Sequence, residues 1–89
     1  MTRMTVEVEL SGAEAQLALE HGYPFDEIEK SLTKVAGRRG TFVLELDPFY
    51  LEHLAADLSR SSRAVEDPLL AEYLDILSDR LYGALAMRD

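Results

Sequence analysis

Three groups of side chains in this 89-residue sequence stand at spacings that chemistry could use. Glu72, Asp75 and Asp79 fall within about 60° of one another when wound on a helix at about 100° per residue. Such a carboxylate stripe suits a divalent cation or a basic protein surface, and is otherwise a solvated helix face. A metal would also need ligands from a second segment, and no acidic loop of defined spacing offers them. The stripe is therefore a candidate protein-binding face and not a metal site.

His53 and Asp57 stand at i and i+4, close enough on a helix for a hydrogen bond or for two ligands of one metal. Catalysis would require a nucleophile held in geometry with them, and the sequence identifies none. His21 falls at the end of a helix, where a cation complements the dipole. Both histidines read as structural. Gly37-Arg38-Arg39-Gly40 is the one dense basic loop, and Lys30 and Lys34 precede it. Two glycines around two arginines could hold a phosphate or carboxylate through backbone N–H groups and guanidinium forks, which makes Lys34, Arg38 and Arg39 candidate anion-binding residues. The alternative is a helix stop and a turn, with the arginines paired to Glu7, Glu9 or Glu45. Neither a Walker nor a dinucleotide fingerprint is present. No catalytic residue, cofactor or metal ligand is expected, and the expected function is non-enzymatic.

Composition narrows the partners. Seventeen acidic against nine basic residues give a net charge of −8, a field that repels nucleic acid and anionic membrane and favours a basic protein. There is no cysteine, so disulfides and thiolate metal sites are excluded. The N-terminal residues lack a signal-peptide apolar stretch and no run approaches a membrane span, so the expected location is the cytoplasm. Asparagine is absent and arginine outnumbers lysine seven to two, which fits a bacterial, thermophilic host. Fifteen leucines within 47% apolar residues are enough for one core, and a chain of this length is expected to form a single domain over residues 1–89.

The elements that must position these groups are legible from periodicity and caps. Met4, Val6, Val8 and Leu10 alternate with Thr5, Glu7 and Glu9, as do Phe42, Leu44 and Leu46 with Thr41, Val43 and Glu45, which predicts two half-buried strands. Each strand meets a helix N-cap directly, in Val8-Glu9-Leu10-Ser11 and again in Leu44-Glu45-Leu46-Asp47. Ser11 and Glu14 match the capping box, and that helix should end near Gly22. Pro24 suits the first turn of a second helix with Phe25, Ile28, Leu32 and Val35 as its stripe, stopped by Gly37. Asp47-Pro48 opens a third helix, which Ser59-Arg60-Ser61-Ser62-Arg63 should fray into a connector. Asp67-Pro68 opens a fourth, running to about Met87.

The predicted fold is a small α+β domain in the order β-α-α-β-α-α, a two-stranded sheet packed on four helices. Two strands alone make a marginal sheet. The last helix carries two apolar seams, Leu70, Leu74, Leu77, Leu81 and Leu85, and beside it Leu69, Tyr73 and Ile76. That arc is wider than packing on a small domain requires. Both features point to a homodimer, in which two sheets could join into four strands, and they make Leu69, Tyr73 and Ile76 candidate protein-binding residues with Glu72, Asp75 and Asp79.

The order strand, helix, helix over residues 4–36 resembles, in outline, the ribbon-helix-helix regulators, whose paired strands enter the DNA major groove. The resemblance implies a nucleic-acid-associated or antitoxin-like regulator as the alternative function, with Lys34, Arg38 and Arg39 as contacts. The strand positions that would face the groove are Thr5, Glu7 and Glu9, and carboxylates there oppose phosphate. The favoured expectation is an interaction or regulatory protein acting through a protein surface.

Overall fold

A computed structural model describes residues 5–87. In it β1 (Val6–Ser11) runs into α1 (Gly12–His21) with no intervening loop. The Ser11 hydroxyl accepts from the Glu14 amide at 3.1 Å, and Glu14 Oε1 accepts from the Ser11 amide at 2.8 Å. This reciprocal cap satisfies two otherwise unmet donors and contributes about 1 kcal/mol. Val6, Val8 and Leu10 are buried while Glu7 and Glu9 are exposed. Met4, which the alternation adds to the inward row, lies outside the described residues.

The second helix, α2, covers Asp26–Val35, so Pro24 is not in its first turn as its sequence position suggests. Phe25 is the N-cap, extended at φ −64° and ψ 157°, and no side chain caps the helix. The extended backbone sets the Phe25 ring 4.8 Å from that of Tyr50, and this ring contact holds Phe25 at the surface and out of the inward stripe. Asp26, Glu27 and Glu29 in the first turn compensate the missing cap through the helix dipole. Ile28, Leu32 and Val35 are buried as their spacing predicts. Gly37, just past the end, has φ 76°, a left-handed turn that glycine adopts without penalty.

β2 (Thr41–Leu46) pairs antiparallel with β1, Val6 opposite Leu46 and Leu10 opposite Phe42. The two strands form the whole sheet among the described residues. Its inner face joins the core, and its outer face presents Glu7, Glu9, Val43 and Glu45. Glu7 stands directly opposite Glu45, a like-charge pair that opposes folding slightly. At the far end the β1–α1 junction and the α2–β2 turn meet backbone to backbone. Gly37 donates its amide to Gly12 O at 3.0 Å, and Gly12 donates to Gly40 O at 3.3 Å. A Cβ on Gly12 would lie 1.9 Å from Arg38 O, so only glycine allows this approach.

The remaining helices, α3 (Pro48–Ala64) and α4 (Pro68–Ala86), form a hairpin. Asp47 and Asp67 cap them by accepting from the Phe49 and Leu69 amides, each at 2.9 Å, with proline in the first turn as predicted. Residues 59–63 do not fray; they continue α3 to Ala64. The serines there turn their hydroxyls onto nearby carbonyls without unwinding the helix: Ser62 donates to Ser59 O at 2.7 Å, and Ser61 donates to His21 O at 2.6 Å. The second bond ties α3 to the end of α1. Across the hairpin, buried Ser78 donates to Ala55 O at 2.8 Å, so no polar atom is stranded at this contact.

All six elements contribute to one buried cluster, whose large members include Leu10, Ile28, Leu32, Leu54, Leu74 and Leu77. The molecule measures 44 Å along its longest axis against 25 and 21 Å across. A shape this extended leaves part of the hairpin with nothing to pack on.

Candidate interaction surfaces

The two apolar seams of α4 have different fates. Leu74, Leu77 and Leu81 of the first are buried. Leu69, Tyr73 and Ile76 of the second remain 57%, 53% and 47% exposed. Tyr73 and Ile76 border a cleft of about 410 Å³ between α4 and α1, which Ala13, Leu17, Glu14 and Arg80 complete. Arg80 pairs with Glu14 Oε2 across this cleft, so the carboxylate that closes the capping box also clamps α4 onto the start of α1. Glu72, Asp75 and Asp79 are all exposed on the neighbouring strip of α4. The structure therefore brings the six candidate protein-binding residues onto adjoining faces of one helix.

The basic loop is exposed, and part of its backbone is committed within the fold. Two of its amides are already engaged, Gly37 with Gly12 O and Arg38 with Val35 O at 3.1 Å. The Arg38 guanidinium lies 5.8 Å from the Phe42 ring centroid and donates to Lys34 O at 3.5 Å. Among the described residues neither Arg38 nor Arg39 forms an ion pair with Glu7, Glu9 or Glu45, so the expected pairing with the strands is not made. The strand carboxylates point off the outer sheet face, whereas the arginines sit on the turn.

His53 and Asp57 share α3 but are drawn apart. Asp57 pairs with Arg60, one turn along. His53 instead packs edge-on to Phe49, centroids 4.8 Å apart, and to Phe25 at 5.6 Å. The His21 imidazole is 4.0 Å from the Glu20 carboxylate, and its carbonyl serves Ser61. Among the described residues no group of three or more His, Asp or Glu side chains could hold a metal ion. No described helix is long and apolar enough to cross a membrane.

Spacing does not single out the rings of Phe25, Phe49, Tyr50 and His53, which gather where α2 and α3 begin. Phe25 is 47% and Phe49 61% exposed. The signal available in the sequence is positional: aromatic residues directly follow proline in Pro24-Phe25 and in Pro48-Phe49-Tyr50, so both groups sit at helix starts. Pro24, Phe25, Asp26, Glu27 and Tyr50 line a cleft there.

Comparison of the chain with protein-family models, with curated proteins and with solved structures returned no match.

Proposed function

We propose that this chain is a non-enzymatic cytoplasmic interaction protein that works as a homodimer joined through the α1–α4 face. The observation that carries this reading is the exposed seam of Leu69, Tyr73 and Ile76 beside the Leu17 cleft. These side chains leave roughly 300 Å² of apolar surface in water, within the roughly 300–600 Å² of the largest patch on a typical monomer, which is often a functional one. Covering it on two copies contributes about 15 kcal/mol gross at about 25 cal/mol per Å². An association cost of about 4–15 kcal/mol leaves about 0–11 kcal/mol, a range that includes the roughly 8 kcal/mol of micromolar affinity.

The same bookkeeping disfavours joining the two sheets edge to edge. A four-stranded sheet built by a twofold axis would set Glu7, Glu9 and Glu45 of both copies on one face, where repulsion opposes pairing. Packing through α4 leaves Glu72, Asp75 and Asp79 at the rim, open to a basic protein. Light scattering on the wild type and on Ile76→Glu tests the reading. The wild type should weigh as a dimer at tens of micromolar and the variant as a monomer with an unchanged helical spectrum. A monomeric wild type at that concentration removes the proposal.

A nucleic-acid-associated regulator is the second reading, favoured by the exposure of Arg38 and Arg39, which form no ion pair among the described residues. β1 pairs within its own chain and its outer face is acidic, so in this reading the turn and Lys34 would approach phosphate. Duplex DNA affinity that falls steeply with salt and vanishes when Arg38 and Arg39 become alanine would establish it in place of the first.

A further inference from the structure

In the ring cluster at the starts of α2 and α3, Tyr50 packs against the core while the two phenylalanines stay at the surface. Phe25 is 47% and Phe49 61% exposed, and Tyr23, two residues before Phe25, is 84% exposed. The rings nonetheless hold one another in fixed geometry: Phe25 on Tyr50 at 4.8 Å, Phe49 edge-on to Tyr50 at 5.4 Å, and His53 between the two phenylalanines. Of these rings, Phe25 and Tyr50 line a cleft of about 410 Å³ together with Pro24, Asp26 and Glu27, and no lysine or arginine among the described residues lines it.

We propose that this cleft receives an arginine side chain from an exposed basic segment of a partner protein. Aromatic faces carry negative quadrupole charge and attract a cation placed over them. A guanidinium stacks flat on such a face while its N–H fork meets a carboxylate, a combination lysine's compact ammonium matches less well. Rings and carboxylates occur together here, and each alone would attract less.

The obvious competitor is an anion, because two helix N-termini converge on this end. Each contributes about half a positive charge, and only within its first turn. Against that stand the full negative charges of Asp26 and Glu29 in the first turn of α2. Two full charges outweigh two half charges, so the local field selects a cation. The proposal rests on the reading of the chain as an interaction protein, but it uses a different surface from the α1–α4 face, so either can fail without the other.

An NMR titration of the full chain, labelled with nitrogen-15, tests it. The probe is an acetylated, amidated peptide of arginines spaced by serines, compared with its lysine and glutamate counterparts. Shift changes should centre on Phe25, Asp26, Phe49, Tyr50 and His53, with affinity in the order arginine, lysine, glutamate. Phe25→Leu, which keeps apolar bulk but loses a ring that lines the cleft, and Asp26→Asn, which keeps shape but loses charge, should each weaken the arginine peptide about tenfold. Shift changes spread equally over the outer sheet face and Glu72, Asp75 and Asp79, or full affinity in Phe25→Leu, would overturn the assignment.

Discussion

The same substitution, glycine to alanine, should act in opposite directions at Gly12 and Gly83. At Gly12 the new Cβ would sit 1.9 Å from Arg38 O, 2.7 Å from Arg38 N and 2.8 Å from Arg38 C, all backbone atoms that cannot rotate away. Relief requires the β1–α1 junction to part from the α2–β2 turn. That movement lengthens the bonds Gly37 N to Gly12 O and Gly12 N to Gly40 O, each contributing about 1 kcal/mol. Lost packing behind them adds about 1–3 kcal/mol, typical of overpacked sites. Alanine's advantage over glycine in helix formation and in the unfolded chain returns about 1 kcal/mol. The net is a destabilisation of about 2–4 kcal/mol, or a melting temperature roughly 10–30 °C lower for a domain this size. Gly83 lies mid-helix in α4, and nothing stands within 4 Å of an added Cβ. There only the favourable part remains, and Gly83→Ala should gain about 0.5–1 kcal/mol. Thermal and urea unfolding followed by circular dichroism measures both. A Gly12→Ala variant as stable as the wild type would refute the backbone contact between the two halves.

Three further outcomes follow from the packing. Ser78→Ala removes the hydroxyl that bonds Ala55 O inside the α3–α4 contact and should cost about 1 kcal/mol in urea unfolding, since the carbonyl stays in its helix. Glu14→Gln and Arg80→Ala separate the two duties of Glu14. The amide still closes the capping box, and Arg80 is 47% exposed, so both variants should lie within about 1 kcal/mol of the wild type, while Glu14→Ala, which also loses the cap, should fall further. Leu58→Ala, at a fully buried position, should cost about 2–5 kcal/mol, and a loss under about 1 kcal/mol would contradict its place in the core.

Element order, strand alternation and three of the four helix caps are legible in the sequence because each depends on neighbours within four residues. Ser11 with Glu14, Asp47 with Pro48 and Asp67 with Pro68 need no tertiary context. The departures occur where a distant residue decides. Pro24 carries the signal of a first helical turn, but the Tyr50 ring holds Phe25 extended and moves the start to Asp26. The serines of 59–63 carry the signal of a connector, but Ser61 finds His21 O forty residues away. Arg38 and Arg39 have carboxylates to pair with in the sequence, yet the sheet aims those carboxylates elsewhere. The seam of Leu69, Tyr73 and Ile76 was readable as surplus apolar surface because helical period alone separates it from the buried seam. The ring cluster was not, because its members come from two segments that only the fold brings together.

The absence of cysteine makes the dimer face directly measurable. In a twofold dimer centred on the α1–α4 face, residue 76 lies near its own copy, so Ile76→Cys should form a disulfide-linked dimer under mild oxidation. Val43→Cys, 61% exposed on the acidic outer face of the sheet, should remain monomeric on a denaturing gel under the same conditions. Rapid linkage through residue 76 alone is the result predicted here. Equal linkage at both positions, or linkage only through residue 43, would contradict the assignment of α4 as the surface through which this protein meets its partner copy.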